Sequence, residues 1–168
     1  MAGMNHSIPH PSRRGLLLGG AVLTLAPLAA LAAADPWATS PWRALSDAEW
    51  RRRLPAEAYD VLRHEGTESP FSSALLNEHR RGLFQCLGCS LPLFNSAWTF
   101  DSGTGWPSFY TATRGGLAKK TDLALGIPRT EYHCARCLGH QGHVFDDGPQ
   151  PTGLRYCNDG VALRFVPA

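Results

Sequence analysis

Two C-x-x-C pairs constrain the fold of this 168-residue chain more than any other feature. Cys86 and Cys89 form the first pair, and Cys134 and Cys137 form the second. Four thiolates are the ligand set of a closed tetrahedral zinc site, so the pattern predicts one structural Zn²⁺ per chain. The 44 residues between the pairs are too many for one local ribbon, so the metal would join two distant hairpins. The alternative is two disulfides, which C-x-x-C loops form only with strain.

The fifth cysteine, Cys157, has no partner left in the chain. A thiolate is a strong nucleophile, and a single unpaired cysteine beside a metal-stapled core is a candidate for that role. A free thiol with a pKa of about 8.5 is mostly protonated at neutral pH, so a catalytic Cys157 needs a nearby cation or hydrogen-bond donor.

Composition indicates one globular domain that is rich in β-structure. The chain is 43% hydrophobic and 18% charged, and its 17 glycines and 13 prolines favour a turn-rich fold over a helix bundle. The chain has 16 basic and 14 acidic residues, and two of the basic ones are Arg13 and Arg14 near the N-terminus. The remainder of the chain is therefore neutral, with 14 residues of each sign. A neutral domain lacks the basic face that nucleic-acid binding requires, and we expect no nucleic-acid partner.

Residues 1–34 predict an export signal of the twin-arginine type. Arg13 and Arg14 precede an uncharged run of glycine, alanine and leucine. Small residues within 30–34 offer A-x-A cleavage sites, so we expect a periplasmic or cell-envelope protein. The alternative is an uncleaved membrane anchor, although Pro27 and many alanines make this segment weakly apolar.

After an irregular lead-in at 35–45, the sequence predicts a domain over 46–168. Ser46 and Glu49 form a capping box that opens a helix, and Pro55 suits the start of a second helix over 56–64. Short aromatic and β-branched runs then alternate with glycine, proline, asparagine and aspartate. These runs predict the strands LPLF, AWTFD, PSFYT, EYHCA, HVFDD, GLRYC and VALRFV.

Longer stretches carry a resemblance to a known family. They are EGTESPF at 65–71, GWPSF at 105–109, HQGHVF at 140–145 and DGPQPTGLRYC at 147–157. In this order, and with the C-x-x-C pairs between them, they resemble methionine-R-sulfoxide reductases of the MsrB type. The resemblance implies a mainly β fold, with two antiparallel sheets in a β-tent arrangement and short N-terminal helices. It implies stereospecific reduction of methionine-R-sulfoxide in oxidised proteins or peptides.

The resemblance also implies the residues of the site. Cys157 would attack the sulfoxide sulfur, and His143 would protonate the departing oxygen, because imidazole titrates near neutral pH. Arg155, two residues from Cys157 on a strand, would lie on the same side and favour the thiolate. The remaining catalytic residues are His140 and Asp147, the latter orienting Arg155 or a histidine; the substrate-binding residues are Trp106, Phe109 and Asp159.

Each of these residues also has a structural interpretation. Trp106 could be plain core, and Arg155 could be a surface charge. Asp147 could be an ordinary turn residue. His140 and His143 could be a metal pair, although the glycine between them favours a turn.

Two departures from the family pattern affect the chemistry. Thr104 stands where many members carry a resolving cysteine, so the sulfenic acid of Cys157 would need an external thioredoxin-like protein or small thiol. Asp159 stands where the family carries asparagine. If ionised, it would disfavour the thiolate and slow turnover or raise the pH optimum, unless Arg155 neutralises it. Replacing Asp159 with asparagine should then raise activity near neutral pH.

Two other functions remain open at this point. A zinc-stapled binding module could use the same aromatic residues to recognise a ligand without turnover. A relative of the family could act on free methionine sulfoxide or another small sulfoxide. A neutral single domain gives no sign of a stable partner, so we expect a monomer.

Overall fold

The computed structural model describes Met1, Gly3 and residues 35–168. Apart from Met1 and Gly3, the predicted export signal lies outside the described residues. In the part of the chain that is described, no helix is both long and apolar enough to cross a membrane. The lead-in contains a short 3-10 helix, Pro41–Arg43. Arg43 donates from Nη2 to the carbonyl oxygen of Ala135 at 2.6 Å and so ties the lead-in to the second C-x-x-C pair.

Two short helices open the domain as the sequence predicts: α1 over Asp47–Arg53 and α2 over Ala56–His64. The capping box forms, with the backbone N–H of Ser46 donating to Glu49 Oε2 at 2.8 Å and Ser46 Oγ accepting from the Glu49 N–H. Helix α2 ends at His64, and the C-cap residue Glu65 adopts a left-handed φ of 59°. The apolar residues of this helical segment are buried, among them Trp50, Leu54, Tyr59 and Leu62.

Within residues 35–168, nine strands form two antiparallel sheets, which confirms the predicted mainly β fold. The strands are β1 Gly82–Cys86, β2 Pro92–Asn95, β3 Thr99–Phe100, β4 Ser108–Phe109, β5 Leu117–Asp122, β6 Arg129–Cys134, β7 His140–Phe145, β8 Arg155–Asn158 and β9 Leu163–Pro167. The three-stranded sheet has the order β2-β1-β9, and the six-stranded sheet has the order β3-β4-β8-β7-β6-β5. Each predicted run contains a strand.

The sequence analysis missed strands β1 and β5. Strand β5 reads LAKKTD and its side chains are largely exposed, because it is an edge strand of the larger sheet. Such a strand needs no apolar alternation, since its outer face meets water. Strand β1 reads GLFQC and runs directly into the first C-x-x-C pair at Cys86, and its two apolar residues before the cysteine, Leu83 and Phe84, are too few to mark a strand.

Aromatic side chains fill the core. The Phe94 and Phe109 rings stack at 4.0 Å, Phe84 meets Phe109 edge-on at 5.0 Å, and Tyr132 meets Tyr156 at 5.4 Å. Buried aromatic pairs at these separations contribute beyond the area that they bury. The cluster contains residues of both sheets, and strand β8 contributes to it through Tyr156. This packing fixes the position of β8, on which Cys157 lies.

Candidate active site and metal site

One row of side chains crosses the six-stranded sheet and organises the site. Ser108 of β4 pairs with Cys157 of β8, and Cys157 pairs with His143 of β7. His143 in turn pairs with Glu131 of β6. Residues directly opposite on neighbouring strands point to the same face of a sheet. The register therefore places Cys157 between a hydroxyl and an imidazole.

Cys157 is half-buried, and burial raises the pKa of its thiol. Two neighbours act in the other direction. The guanidinium of Arg155 lowers this pKa, and Thr104 Oγ1, at 4.0 Å from the Cys157 sulfur, lowers it further. The expected effect of Arg155 is present, but the desolvation of the thiol outweighs it.

Arg155 is held by Asp147 in a bidentate ion pair. Its Nε and Nη2 donate to the two carboxylate oxygens of Asp147, both at 2.8 Å. The guanidinium also lies over the ring of Phe145, at 4.3 Å from the ring centroid. Of the two predicted partners for Asp147, the structure therefore selects Arg155 and not a histidine.

His143 has a partner that the sequence analysis did not identify. Its Nε2 lies 2.8 Å from Oδ2 of Asp122, at the end of strand β5. Arg129 Nη2 donates to the same carboxylate oxygen at 2.5 Å. Burial lowers the pKa of His143, and the Asp122 carboxylate partly restores it. The ring is thereby held in one orientation beside Cys157.

A β-bulge, and not the expected turn, brings the two histidines together. Between Tyr132 and His133 the register of β6 against β7 shifts, so His140 and His143 come to lie with ring centroids 5.5 Å apart. Gly142 has a φ of 148°, and a Cβ there would lie 2.0 Å from the carbonyl oxygen of Cys157. Only glycine permits this close approach of β7 and β8.

His140 lies behind His143, away from the pocket that holds Cys157. Its Nδ1 is 2.8 Å from Glu131 Oε1, and Glu131 Oε2 is 2.9 Å from Lys120 Nζ. The other ring nitrogen, Nε2, is 3.7 Å from Asp159 Oδ2. His140 therefore contacts carboxylates on both sides and serves as a link between Glu131 and Asp159.

Asp159 is buried, and its pKa is raised to about 7. Desolvation is the main cause, the nearby Glu68 carboxylate adds to it, and a hydrogen bond from the Glu68 N–H at 3.0 Å partly opposes it. Arg155 does not neutralise Asp159, because its guanidinium is engaged by Asp147. Glu68 itself caps the next turn by accepting from the N–H groups of Gly160 and Val161.

Cys157 opens into a cavity of about 130 Å³. Trp106 forms one wall, and its Nε1 donates to the Glu68 carbonyl oxygen at 3.2 Å, which fixes the indole ring. The other lining residues are Thr67, Arg129, Gly142, His143, Phe145, Asn158 and Asp159. An apolar wall, a thiol and a histidine thus face one small space.

Phe109 is not part of this cavity, and its assignment as a substrate-binding residue was wrong. Its exposed fraction is 0%, and it lies in the core against Phe84 and Phe94. The physical reason is the two-residue period of a strand. Ser108 shares a face with Cys157, so the next residue must point to the opposite face, into the core.

The residues that the sequence analysis missed come mostly from one hairpin. Asp122 and Arg129 are paired across the β5–β6 turn, and Glu131 follows on β6. The signal that could have found them is the segment DLALGIPR, in which an acidic and a basic residue flank a glycine-containing turn.

The four remaining cysteines form a compact, buried cluster. Their sulfur atoms all lie within 4.8 Å of one another, with Cys86 and Cys137 3.6 Å apart and Cys89 and Cys134 3.4 Å apart. Sulfur atoms about 2.3 Å from a tetrahedral Zn²⁺ are about 3.8 Å apart, so the cluster fits this ion. All four cysteines are free in the structure, so the alternative of two disulfides does not hold.

The two C-x-x-C turns have the same backbone form. In the first, the N–H of Ser90 donates to the Cys86 carbonyl oxygen at 2.8 Å, and in the second Leu138 does the same to Cys134 at 2.9 Å. Ser90 and Leu138 both have left-handed φ values, 64° and 59°. The first turn follows β1 and the second follows β6, so the cluster joins the two sheets.

Fold and site together define a thiol-dependent enzyme class: a β domain stapled by four cysteines, with one further thiol facing a histidine in a small pocket. The family model described as the SelR domain matches residues 54–167. The chain is 49% identical over 123 residues to "Peptide methionine sulfoxide reductase MsrB" of Thiobacillus denitrificans, and the matched region covers 73% of this chain and 93% of that protein. It is 46% identical over 132 residues to "Methionine-R-sulfoxide reductase B2, mitochondrial" of Rattus norvegicus, covering 74% and 76%. The chain therefore belongs to the MsrB family of methionine sulfoxide reductases.

Proposed function

We propose that this enzyme reduces methionine-R-sulfoxide in proteins or peptides to methionine, with Cys157 as the nucleophile. The observation that carries the proposal is the shared cavity of Cys157, His143 and Trp106. The thiol supplies the attacking sulfur, the histidine supplies a proton, and the indole face contacts the substrate methyl group. Family membership supports the reaction and its stereochemistry.

The first step transfers the sulfoxide oxygen to Cys157. The thiolate attacks the substrate sulfur while the His143 imidazolium gives its proton to the oxygen. The protonated oxygen then moves from the substrate sulfur to the Cys157 sulfur. The sulfur–oxygen bond of the substrate and the transient sulfur–sulfur bond break, methionine leaves, and Cys157 becomes a sulfenic acid. One thiolate, one proton and one sulfoxide give one sulfenic acid and one sulfide. Asp122 acts as a positioning residue, because its carboxylate orients His143 and favours the imidazolium.

The second step regenerates the thiol with an external reductant. Thr104, the residue 4.0 Å from the Cys157 sulfur, cannot form a disulfide, and the other cysteines are the buried metal ligands. A thioredoxin-like protein or a small thiol therefore attacks the sulfenic acid. Two reductant thiols are oxidised to one disulfide, and one water molecule leaves.

Zinc is the proposed metal of the four-cysteine cluster, held by Cys86, Cys89, Cys134 and Cys137. Four thiolates close the coordination sphere, so the ion supplies structural support and no catalysis. This support reaches the site through Gln141, at the β7 bulge between the two histidines. The Nε2 of Gln141 donates to the Cys86 sulfur at 3.4 Å, and the backbone carbonyl oxygen of Gln141 accepts from the Asp159 N–H at 2.8 Å.

We further propose that the protein is exported in folded form to the periplasm or cell envelope. The twin-arginine pattern of residues 1–34 supports this location. Folded export also protects the C-x-x-C pairs, since zinc bound beforehand occupies thiols that would otherwise oxidise. If an unfolded-export signal gave protein with the same zinc content, that protective role would be refuted.

The test of the function is the reduction of separated R and S diastereomers of a peptide methionine sulfoxide, with a dithiol as reductant. We expect turnover of the R form alone, and loss of turnover in Cys157→Ser at unchanged zinc content. Peptide binding without turnover of either diastereomer would instead indicate a zinc-stapled binding module. Turnover restricted to small sulfoxides would refute the peptide substrate.

A further inference from the structure

Exposed apolar side chains lie on two segments that adjoin residues of the catalytic cavity. Within residues 35–168, six large apolar side chains are exposed. Four of them are Phe71, Leu123, Leu125 and Ile127, with exposed fractions of 70%, 64%, 67% and 63%. Single exposed apolar residues are ordinary, but a group of them marks an interaction surface. We call these four residues the apolar rim.

The three aliphatic members lie on the β5–β6 turn, which the site itself holds in place. The Asp122–Arg129 ion pair closes the base of this turn, and Arg129 lines the catalytic cavity. Ile127 lines a second cavity of about 580 Å³. Arg129 and Phe145 line both cavities. The apolar turn and the catalytic cavity therefore belong to one continuous surface.

Phe71 lies next to the part of the catalytic cavity wall that Trp106 forms. It has a left-handed φ of 65°, which is a strained conformation for a bulky residue. Its N–H donates at 2.7 Å to the carbonyl oxygen of Gly105, the residue before Trp106. The fold thus accepts backbone strain and keeps an aromatic ring in solvent next to the tryptophan wall.

The size of the catalytic cavity limits how much of a substrate it can enclose. Its volume of about 130 Å³ is well below the roughly 300–1,000 Å³ of sites that enclose a whole small molecule. A methionine sulfoxide side chain fits, and the backbone and neighbouring residues of the substrate must lie outside. The larger cavity, which Ile127 of the apolar rim lines, adjoins the catalytic cavity through Arg129 and Phe145 and offers space for them.

We propose that the apolar rim binds the apolar side chains that flank methionine-R-sulfoxide in an extended polypeptide. The occupant is thus the same chain whose sulfoxide enters the catalytic cavity, and this inference rests on the proposed function.

The test compares two peptides of eight residues, one with leucines and one with serines on both sides of the methionine-R-sulfoxide. For the unmodified full chain we expect the leucine peptide to have a kcat/KM about tenfold higher, mainly through KM. In the double variant Leu123→Ser/Ile127→Ser this ratio should fall to about 1–2. The matched control is Leu83→Ser, which removes an exposed leucine from β1 in the other sheet and should keep the ratio near ten.

Binding separates this inference from the proposed function. Fluorescein-labelled forms of both peptides are titrated into the full-length Cys157→Ser protein, which cannot turn them over. Preferential binding of the leucine peptide with no turnover by the unmodified enzyme would refute the function and leave the docking surface standing. Equal affinity and equal kcat/KM for both peptides would overturn the docking surface. It would also be overturned if the double variant changed only the oligomeric state, since the rim would then contact a second copy of the chain.

Discussion

Replacing Asp159 with asparagine removes a carboxylate from the wall of the cavity that holds Cys157 and leaves the side-chain size unchanged. The asparagine oxygen can still accept the hydrogen bond that the Glu68 N–H donates to Asp159. The ionised carboxylate of Asp159 raises the pKa of the Cys157 thiol. The variant should therefore have a more acidic and more reactive thiol.

The magnitude follows from the geometry of the strand. Two residues of extended chain span about 7 Å, and at an effective dielectric constant of about 40 two unit charges at this distance interact by about 1.2 kcal/mol, or about 0.9 pKa unit. Because the pKa of Asp159 is about 7, its charge is present at pH 8 and mostly absent at pH 6. The thiolate population of Asp159→Asn should thus exceed that of the unmodified enzyme about fivefold at pH 8 and only about 1.1-fold at pH 6.

The assay is the rate of Cys157 alkylation by iodoacetamide in zinc-loaded protein between pH 6 and pH 8.5. Cys157→Ser gives the background from the metal ligands, and Asp60→Asn, which removes an exposed carboxylate on α2, is the matched control. Peptide reduction by Asp159→Asn should rise near neutral pH as well. A rate ratio that stays constant with pH would refute the electrostatic reasoning. So would a loss of turnover, which would show that the carboxylate contributes to the reaction.

Three further outcomes are expected. Asp122→Asn removes the charge that favours the imidazolium of His143. The alkaline limb of the pH profile of kcat/KM should therefore move to lower pH, and the rate at pH 8 should fall about tenfold. An unchanged pH profile would refute the role of Asp122. Thr104→Cys should form a disulfide with Cys157 after one turnover, seen as a loss of two hydrogens by mass spectrometry. Thr104 Oγ1, whose place the new sulfur would take, is 4.0 Å from the Cys157 sulfur, and the flanking glycines allow the closer approach that a disulfide needs. Cys86→Ser should lose its zinc and unfold at a temperature lower by 10 °C or more, and retained metal with an unchanged Tm would contradict a structural site.

The same carboxyl group also makes stability depend on pH. The folded-state pKa of Asp159, about 7, lies above the ordinary value of about 3.9 for an unfolded chain. Between pH 4 and pH 7 the folded state binds the proton of Asp159 more tightly than the unfolded state does. The contribution of this group to the free energy of unfolding is therefore highest below about pH 4 and is lost as the pH rises through 7. The Tm of Asp159→Asn should therefore exceed that of the unmodified protein by several degrees at pH 8, and the two Tm values should be similar at pH 4.

Features that depend on local spacing could be predicted from the sequence. The four cysteines lie in two C-x-x-C pairs, and the capping box marks the start of α1 at the correct residue. The strand that carries Cys157 was found because GLRYC is short, aromatic and bounded by turn residues. Each of these signals lies within about ten residues of chain, where spacing determines geometry without knowledge of the partner strands.

Features that depend on strand pairing could not be predicted. Trp106 and Phe109 belong to one five-residue stretch, yet one lines the cavity and the other lies in the core. Which face each takes depends on the pairing of Ser108 with Cys157, and no local pattern shows that register. Asp122 was missed for the same reason, because it reaches His143 through an exposed, polar edge strand.

The proposed function makes the reactivity of Cys157 a compromise. In that reaction Trp106 offers an apolar wall to the thioether methyl group, and the same exclusion of water raises the pKa of the thiol. Arg155 can oppose the rise in the pKa of the Cys157 thiol only if its charge stays near Cys157 and does not pair with Asp159. The bidentate bond to Asp147 fixes it there, because both carboxylate oxygens of Asp147 are engaged outside the cavity. Asp147 thus supports the thiolate from a position that touches neither the substrate nor the nucleophile.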